Sequence, residues 1–473
     1  MQGDSGDGGS VKRPPRRWGR WIGFALLGLI ALVIVGHAFW GWWEEKKLGE
    51  EIAELRRKGE PMLAEDFKGN VVAEGENGAD LLKEAAASID PTSEVWVAFD
   101  RLELELRLTE AELKVVEGFV EENGEALRLV SQTREKKVDW GLAIKSPLLL
   151  VRHPESDELK RVAELVGAAS LLADQKGKHA EAVQHVEDLL MISRMFGEMP
   201  GYVPFLMGIG VTAMGAERVI QIAPDLKIGT DGASEQQVKN LIAQLLDERA
   251  LRESQWRALR WERAARVDAA REMIFVGGGK ESVIGYVARP IVLGDGRLML
   301  RHMQDFMGAA AGSDDWPSFQ KASAKSMEMA RQVRGSKLHL LASILMFSDE
   351  GIIDYGYRGL TDLRLAAVAL AVRWYAVEHS GALPKGLDEL VPKYLPGVPK
   401  DPFAGKGMAL RYAFDEKRPV VYSVGKDGKD DGGSEKLLRR GIAQHARWVQ
   451  EDVVAHLKRQ ERKTGAEVET EKQ

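Results

Sequence analysis

Nine histidines are the side chains best suited to acid–base or metal chemistry near neutral pH in this chain of 473 residues: His37, His153, His179, His185, His302, His339, His379, His445 and His456. Two imidazoles four residues apart on a helix can share one zinc ion, and no pair here has that spacing. His179 and His185 are six apart, which turns them to different faces of a helix, and both read as polar surface. The chain has no cysteine, so thiolate nucleophiles, zinc–cysteine sites, iron–sulfur clusters and disulfides are excluded together. A Gly-x-Ser-x-Gly elbow is absent, and Ser323 and Ser326 flank Lys325 in a helix-like segment rather than in a nucleophile frame. Gly277-Gly278-Gly279 lacks both the spacing and the preceding strand of a phosphate loop. These residues point to no evident catalysis; the alternative is an envelope enzyme whose catalytic groups are distant in sequence.

The balance of 66 Lys+Arg against 72 Asp+Glu leaves a net charge of -6 and no strongly basic segment, so nothing favours a nucleic-acid partner. A hydrophobic share of 44% with 29% charged residues belongs to a globular chain, not a disordered one.

The clearest element is Trp21 to Trp43, which carries no Asp, Glu, Lys or Arg. As a helix it would reach ~34 Å, enough for a bilayer core of ~30 Å. Trp18 and Trp21 at one end and Trp40, Trp42 and Trp43 at the other form an aromatic belt. Lys12, Arg13, Arg16, Arg17 and Arg20 precede the span, whereas Glu44, Glu45, Lys46 and Lys47 follow it. The positive-inside rule therefore predicts a signal-anchor in the cytoplasmic membrane, N-terminus in, with the rest of the chain on the periplasmic side. A cleavable signal peptide is the alternative, with Gly36 and Ala38 as a faint processing site. The expected organisation is a disordered tail (1–17), a transmembrane helix (18–43), a stalk and linker (44–93), a helical domain (94–360), a C-terminal module (361–457) and a second disordered tail (458–473).

Within the stalk, Leu48, Ile52 and Leu55 recur at helical spacing until Gly59-Glu60-Pro61 stops them. Thr109 to Glu112 and Ser234 to Gln237 read as capping boxes. Leu159, Val162, Val166, Ala169 and Ala173 share one face, as do Val183, Val186 and Leu190, and Gly177 lies between them; this predicts an αα-hairpin. Tyr202 to Ile222 adds a helix ended by Pro224. The pattern is a mainly α, repeat-like array without a sustained period. Residues 247–272, rich in Arg and Glu, read as a long solvated helix with i,i+4 pairs. Residues 280–316 carry no clear assignment, and an apolar run follows from Leu338 to Phe347.

In the C-terminal module, Leu363 to Val377 is apolar enough to be buried. It leads into Trp374 to Pro384, Leu387-Asp388-Glu389-Leu390, Tyr394-Leu395-Pro396, Pro399 to Phe403 and Leu410-Arg411-Tyr412. Val421-Tyr422-Ser423-Val424-Gly425 and the acidic, Gly-rich Lys426 to Gly433 close it. The prolines predict a rigid extended wrap over 384–402, between a helix and two short strands at 409–414 and 419–424. This ordered set resembles the globular half of the type II secretion major pseudopilin, and the whole layout resembles uncharacterised single-span bacterial membrane proteins. The resemblance implies a small α+β module, and it implies calcium as the one cofactor to weigh. The final loop of calcium-binding pseudopilins matches Asp427, with Asp430, Asp431 and Asp452 as further donors and Asp452-Val453-Val454 as the closing strand. Ser434 to Glu451 is an insertion relative to that pattern, with Leu438, Ile442 and Val449 suggesting a helix; the alternative is a solvated Asp/Gly turn.

The expected function is that of a structural or interaction protein that binds the lipid bilayer through residues 21–43 and protein partners through its helical faces. A secretion-system subunit is the alternative. Such a subunit would be cut after Gly23, but Gly28 stands where that family carries a Glu.

Overall fold

The computed structural model describes residues 18–459, except 70, 71, 74, 103, 105–107, 154, 155, 276, 347, 348, 416 and 439–446. The N-terminal tail with Lys12, Arg13, Arg16 and Arg17, the tail from 460, His445 and Ile442 lie outside the described residues.

Helix α1 (Trp18–Arg57) carries the apolar span and the stalk without a break. Its N-terminal part is apolar and unburied, and long enough to cross a membrane. Beyond Trp43 it gains a buried face: Leu48, Ile52 and Leu55 sit at 1–7% exposure. Gly59, at φ 81°, then turns the chain away, a conformation that favours glycine.

The helices α2 (Gly78–Ser88), α3 (Glu94–Phe99), α4 (Glu110–Glu122) and α5 (Gly124–Gln132) enclose a first core with α6 (Ser156–Gln175) and α7 (His179–Gly197). Leu82, Phe119, Val166 and Ile192 meet there, and Phe99 stacks on Phe119 with ring centroids 4.0 Å apart. Residues 78–88, expected as linker, belong to this core, because Ala79, Leu82, Ala85 and Ala86 form one buried face. Both capping boxes form, at Thr109 and Ser234, and Gly177 turns α6 into α7 at φ 74°.

Then follow α8 (Tyr202–Ile222), α9 (Glu235–Leu246), α10 (Arg249–Arg271), α11 (Val283–Ala311), α12 (Trp316–Arg334), the single turn α13 (Ala342–Leu345) and α14 (Asp349–Glu378). Helix α8 is also long and apolar enough to span a bilayer, but most of that window is buried inside the protein. Residues 280–316, unassigned by pattern, are mostly the helix α11, which carries Pro290 within it. The apolar run from Leu338 is split: Leu341, Ala342, Leu345 and Met346 are buried in one cluster, whereas Leu338, Leu340 and Ile344 are exposed around the short α13.

Helix α14 crosses the expected boundary at 360/361 and is buried along Leu365 to Val372. One apolar cluster joins Val219 of α8, Leu241 of α9 and Leu370 of α14 to the sheet residues Val421 and Ala455. The C-terminal module therefore shares its core with the helical body instead of closing on itself. Strands β1 (Arg411–Ala413), β2 (Val420–Ser423) and β3 (Val453–His456) form an antiparallel sheet in that order, with Tyr412 opposite Val421 and Val421 opposite Ala455. The middle of the Ser434–Glu451 insertion lies outside the described residues; at its described ends Leu437 and Gln450 form an isolated antiparallel bridge, Leu438 N–H donates to the Val449 carbonyl at 2.8 Å, and Arg447–Val449 is a short 3-10 turn. Among the described residues the architecture is mainly helical with one small sheet.

Candidate functional site

A buried polar group lies where α10, α11, α12 and α14 converge. Each helix presents one member: Arg266, His302, Ser326 and Asp349. His302 Nε2 lies 3.0 Å from Asp349 Oδ2 and its Nδ1 lies 2.9 Å from Ser326 Oγ. A carboxylate can only accept, so Nε2–H donates to it; with a neutral ring the Ser326 hydroxyl donates to Nδ1, and the same hydroxyl lies 3.5 Å from the His302 carbonyl. Arg266 grips the same carboxylate with both terminal amines and touches Met303 Sδ at 3.3 Å. Asp349 also begins α14, where the helix dipole favours a negative charge.

Electrostatics follow from this crowding. Burial alone would raise the Asp349 carboxyl, but the Arg266 charge and the His302 bond outweigh it and hold it below the usual carboxylate range. Glu262, one turn before Arg266, goes the other way. Burial raises it, the Asp349 charge adds to that, and Arg266 compensates only in part.

Ser, His and Asp are the residue types of an acyl-transfer triad, yet two features differ from one. The ring is reversed, with serine on Nδ1 and the carboxylate on Nε2. The carboxylate's charge is already matched by Arg266. His302 has no exposed surface, and neither cavity described below touches Ser326. What this arrangement does chemically is lock four helices by directional, charge-assisted bonds in a dry interior. The sequence pattern does not show this group: it gives Ser326 no partner, and it makes residues 247–272 a solvated helix. Arg263 and Arg266 are in fact buried on the inner face of α10, with Arg263 bonded to Glu60. The available signal is their i,i+3 and i,i+4 spacing on the same side of the helix as Leu259.

His179 and His185 are less exposed than expected. His179 is buried beside Asp174, and His185 lies between Glu181 and Asp188, where burial pushes its imidazole down. Asp188 is itself gripped by Arg134 through two bonds of 2.7 Å, which ties α7 to the chain after α5. His339 bonds Asp295 at 2.7 Å, and Asp295 also caps the backbone of Leu341 and Ala342.

The four acidic residues of the C-terminal turn do not converge as one ligand set. Asp427 accepts from the Lys429 backbone at 3.0 Å within its own turn. Asp430 is held by Arg411 at 2.6 Å and by the Tyr422 hydroxyl at 2.9 Å. Asp431 is exposed. Asp452 is fully buried just before β3, where its Oδ2 accepts from the Gly433 and Ser434 backbone at 2.8 and 3.1 Å. Burial, together with the neighbouring Asp431 charge, raises its carboxyl despite those bonds. Asp401, not singled out beforehand, does the organising: it accepts from Ser423 Oγ, the Val424 N–H and the Phe403 N–H, joining the proline-rich wrap to β2. Among the described residues, no group of three His, Asp or Glu side chains is placed to hold a metal ion.

Two cavities lie near α14. One, of about 40 Å³, is lined by Ser193, Thr212, Gln244, Asp247 and Ser254 and has room for a water or two. The other, of about 200 Å³, is bounded by Asp225, Arg373, Ala376, Gly381, His456 and Arg459. Arg459 is paired with Asp174 and Asp225, and Arg373 Nε donates to the Leu226 carbonyl at 2.8 Å.

No protein family, curated protein or solved structure matches the chain.

Proposed function

We propose that this protein is a membrane-anchored structural or interaction protein whose helical body stands on the periplasmic side of the cytoplasmic membrane. The observation that carries this reading is the continuity of α1. The same helix that is apolar and largely exposed from Trp21 to Trp40 is docked on the body from the buried Gly41 to Leu55. An anchor that ends in a flexible linker merely tethers. One that continues into the core fixes the body's distance and tilt relative to the bilayer, which suits a scaffold that presents faces to protein partners. The cationic cluster ending at Arg20 supports the inward N-terminus. A reporter active only in the periplasm, fused after residue 473, should be active; activity of a cytoplasmic reporter alone would reject the orientation. Crosslinking in detergent extracts then identifies the partners.

The secretion-subunit reading draws its support from the C-terminal module, in which a helix, a proline-pinned wrap and an antiparallel sheet follow one another, with β3 directly after Asp452. Against it stands the position of α14. In a pilin-like filament the module's helix and the membrane helix are one continuous rod. Here they are α14 and α1, and Leu363, Leu370 and Trp374 of α14 are buried among α8, α9 and the sheet. The expected result is an N-terminus not processed after Gly23, read by mass spectrometry, and cells without fibres in electron micrographs. A methylated N-terminal Phe24 together with filaments would favour the subunit reading instead.

A further inference from the structure

Helix α11 runs alongside α1 in parallel, and their contacts give the level of every residue along the anchor. His37 Nε2 donates to the Tyr286 carbonyl at 3.0 Å. A Cβ on Gly41 would lie 3.7 Å from the Arg289 and Pro290 side chains, in ordinary contact distance, so the two helices run side by side at that level. Further out, Arg289 pairs with Glu45, and Arg297 bridges Glu44 and Glu51. The register is therefore a constant offset: Tyr286 is level with His37, and the start of α11 is level with the residues before it.

That level lies on the membrane side of the tryptophans. At 1.5 Å per residue, His37 is about 9 Å along the axis from Trp43, toward the apolar span. The tip of the body at this level is apolar and uncovered: Val283 is 81% exposed, Ile284 63% and Val287 59%, with Phe275 at 64% on the turn that leads into α11. Such a cluster of large apolar side chains on a water-facing surface marks an interaction site. The charges beside it set its depth. Lys280 is paired with Glu272 and Arg289 with Glu45, while Glu281 is exposed at the same tip. A bare carboxylate excludes the hydrocarbon centre and fits the headgroup boundary, where interfacial helices bury an apolar face by about 5–10 Å.

We infer that the α10–α11 tip, with Phe275, Val283, Ile284 and Val287, is a second membrane contact that dips into the outer leaflet beside the anchor. Its occupant is lipid, because the tip is continuous with the span and lies at its depth. The anchor and tip together hold the body at two points, which prevents it from swivelling about α1. The inference rests on α1 crossing the bilayer, and the test separates the two.

The chain has no cysteine, so one introduced cysteine carries one label. The full-length variants Ile284→Cys, Val33→Cys and Val97→Cys, each at an exposed position, are labelled with an environment-sensitive fluorophore. They are placed in nanodiscs of phosphatidylethanolamine and phosphatidylglycerol, with and without acyl-chain bromination. The expected result is loss of fluorescence in brominated lipid at residues 33 and 284 but not at 97. Quenching at 33 without quenching at 284 overturns the second contact, and then access of iodide to the label at 284 tells an open tip from one covered by protein. No quenching at 33 rejects the membrane anchor itself, and this inference with it.

Discussion

His302 Nε2–H donates a hydrogen bond to Asp349 across 47 positions of sequence, at 3.0 Å and with no exposed surface on the ring. The same carboxylate is the counter-charge of Arg266, so one aspartate serves two cationic or donor partners from two other helices.

Removing that aspartate leaves a buried guanidinium without its counter-charge. Asp349→Ala should cost about 3–5 kcal/mol, as breaking one side of a buried ion pair does. Ser326→Ala removes only one neutral donor from His302 and should cost about 1–3 kcal/mol. Thermal melts of the detergent-solubilised protein check the order. Equal losses would show that the serine, not the ion pair, is the centre of the lock.

Glu262 and Asp349 should affect the pH dependence of stability in opposite directions. The folded Asp349 carboxyl is depressed, so its contribution is present above the unfolded carboxylate value and is lost as pH falls through the folded one. The folded Glu262 carboxyl is raised, so it destabilises the fold above that raised value, and the penalty vanishes in acid once both states are protonated. Glu262→Gln should therefore raise the melting temperature at neutral pH, with the gain shrinking as pH falls through the raised value. A gain independent of pH would mean that packing, not charge, sets the effect.

The anchor's docking rests on a small apolar contact. Leu48 is 1% exposed and packs in one cluster with Val267 of α10 and Leu293 and Leu300 of α11. Leu48→Asp buries an unpaired carboxylate there and should loosen the C-terminal end of α1 while the separate cores around α14 and α6 remain. Trypsin should then cut faster at Arg56, Arg57 and Lys58, with the body's own fragments unchanged. Unaltered cleavage would show that the ion pairs of Arg297 suffice to hold the helix.

Calcium should produce little or no shift in the melting of the C-terminal module. Asp430 is committed to Arg411 and Tyr422, and Asp427 to its own turn, so too few free oxygens remain for a cation that takes six to eight. Asp427→Ala should then be silent with or without the ion. A calcium-specific rise abolished by that substitution would show that the turn rearranges around the metal.

What the sequence determined by itself was local or one-dimensional. The apolar run at 21–43, the capping boxes at Thr109 and Ser234, the turn at Gly177 and the short strands around Val421 each depend on residues within a few positions of one another. Their propensities act whatever the rest of the chain does. The tertiary structure decided the remainder. Arg266 and Arg271 are the same residue type on one helix; one is buried against Asp349 and the other exposed, because only the arrival of α14 distinguishes their faces. The same holds for α11, whose pattern is blurred because its start is apolar without being buried and its middle is buried while carrying Asp295 and His302. Periodicity detects a helix when one face meets water and the other meets protein; α11 faces the anchor, the body and the tip's uncovered surface in turn, and no local rule reports which neighbour a side chain will have.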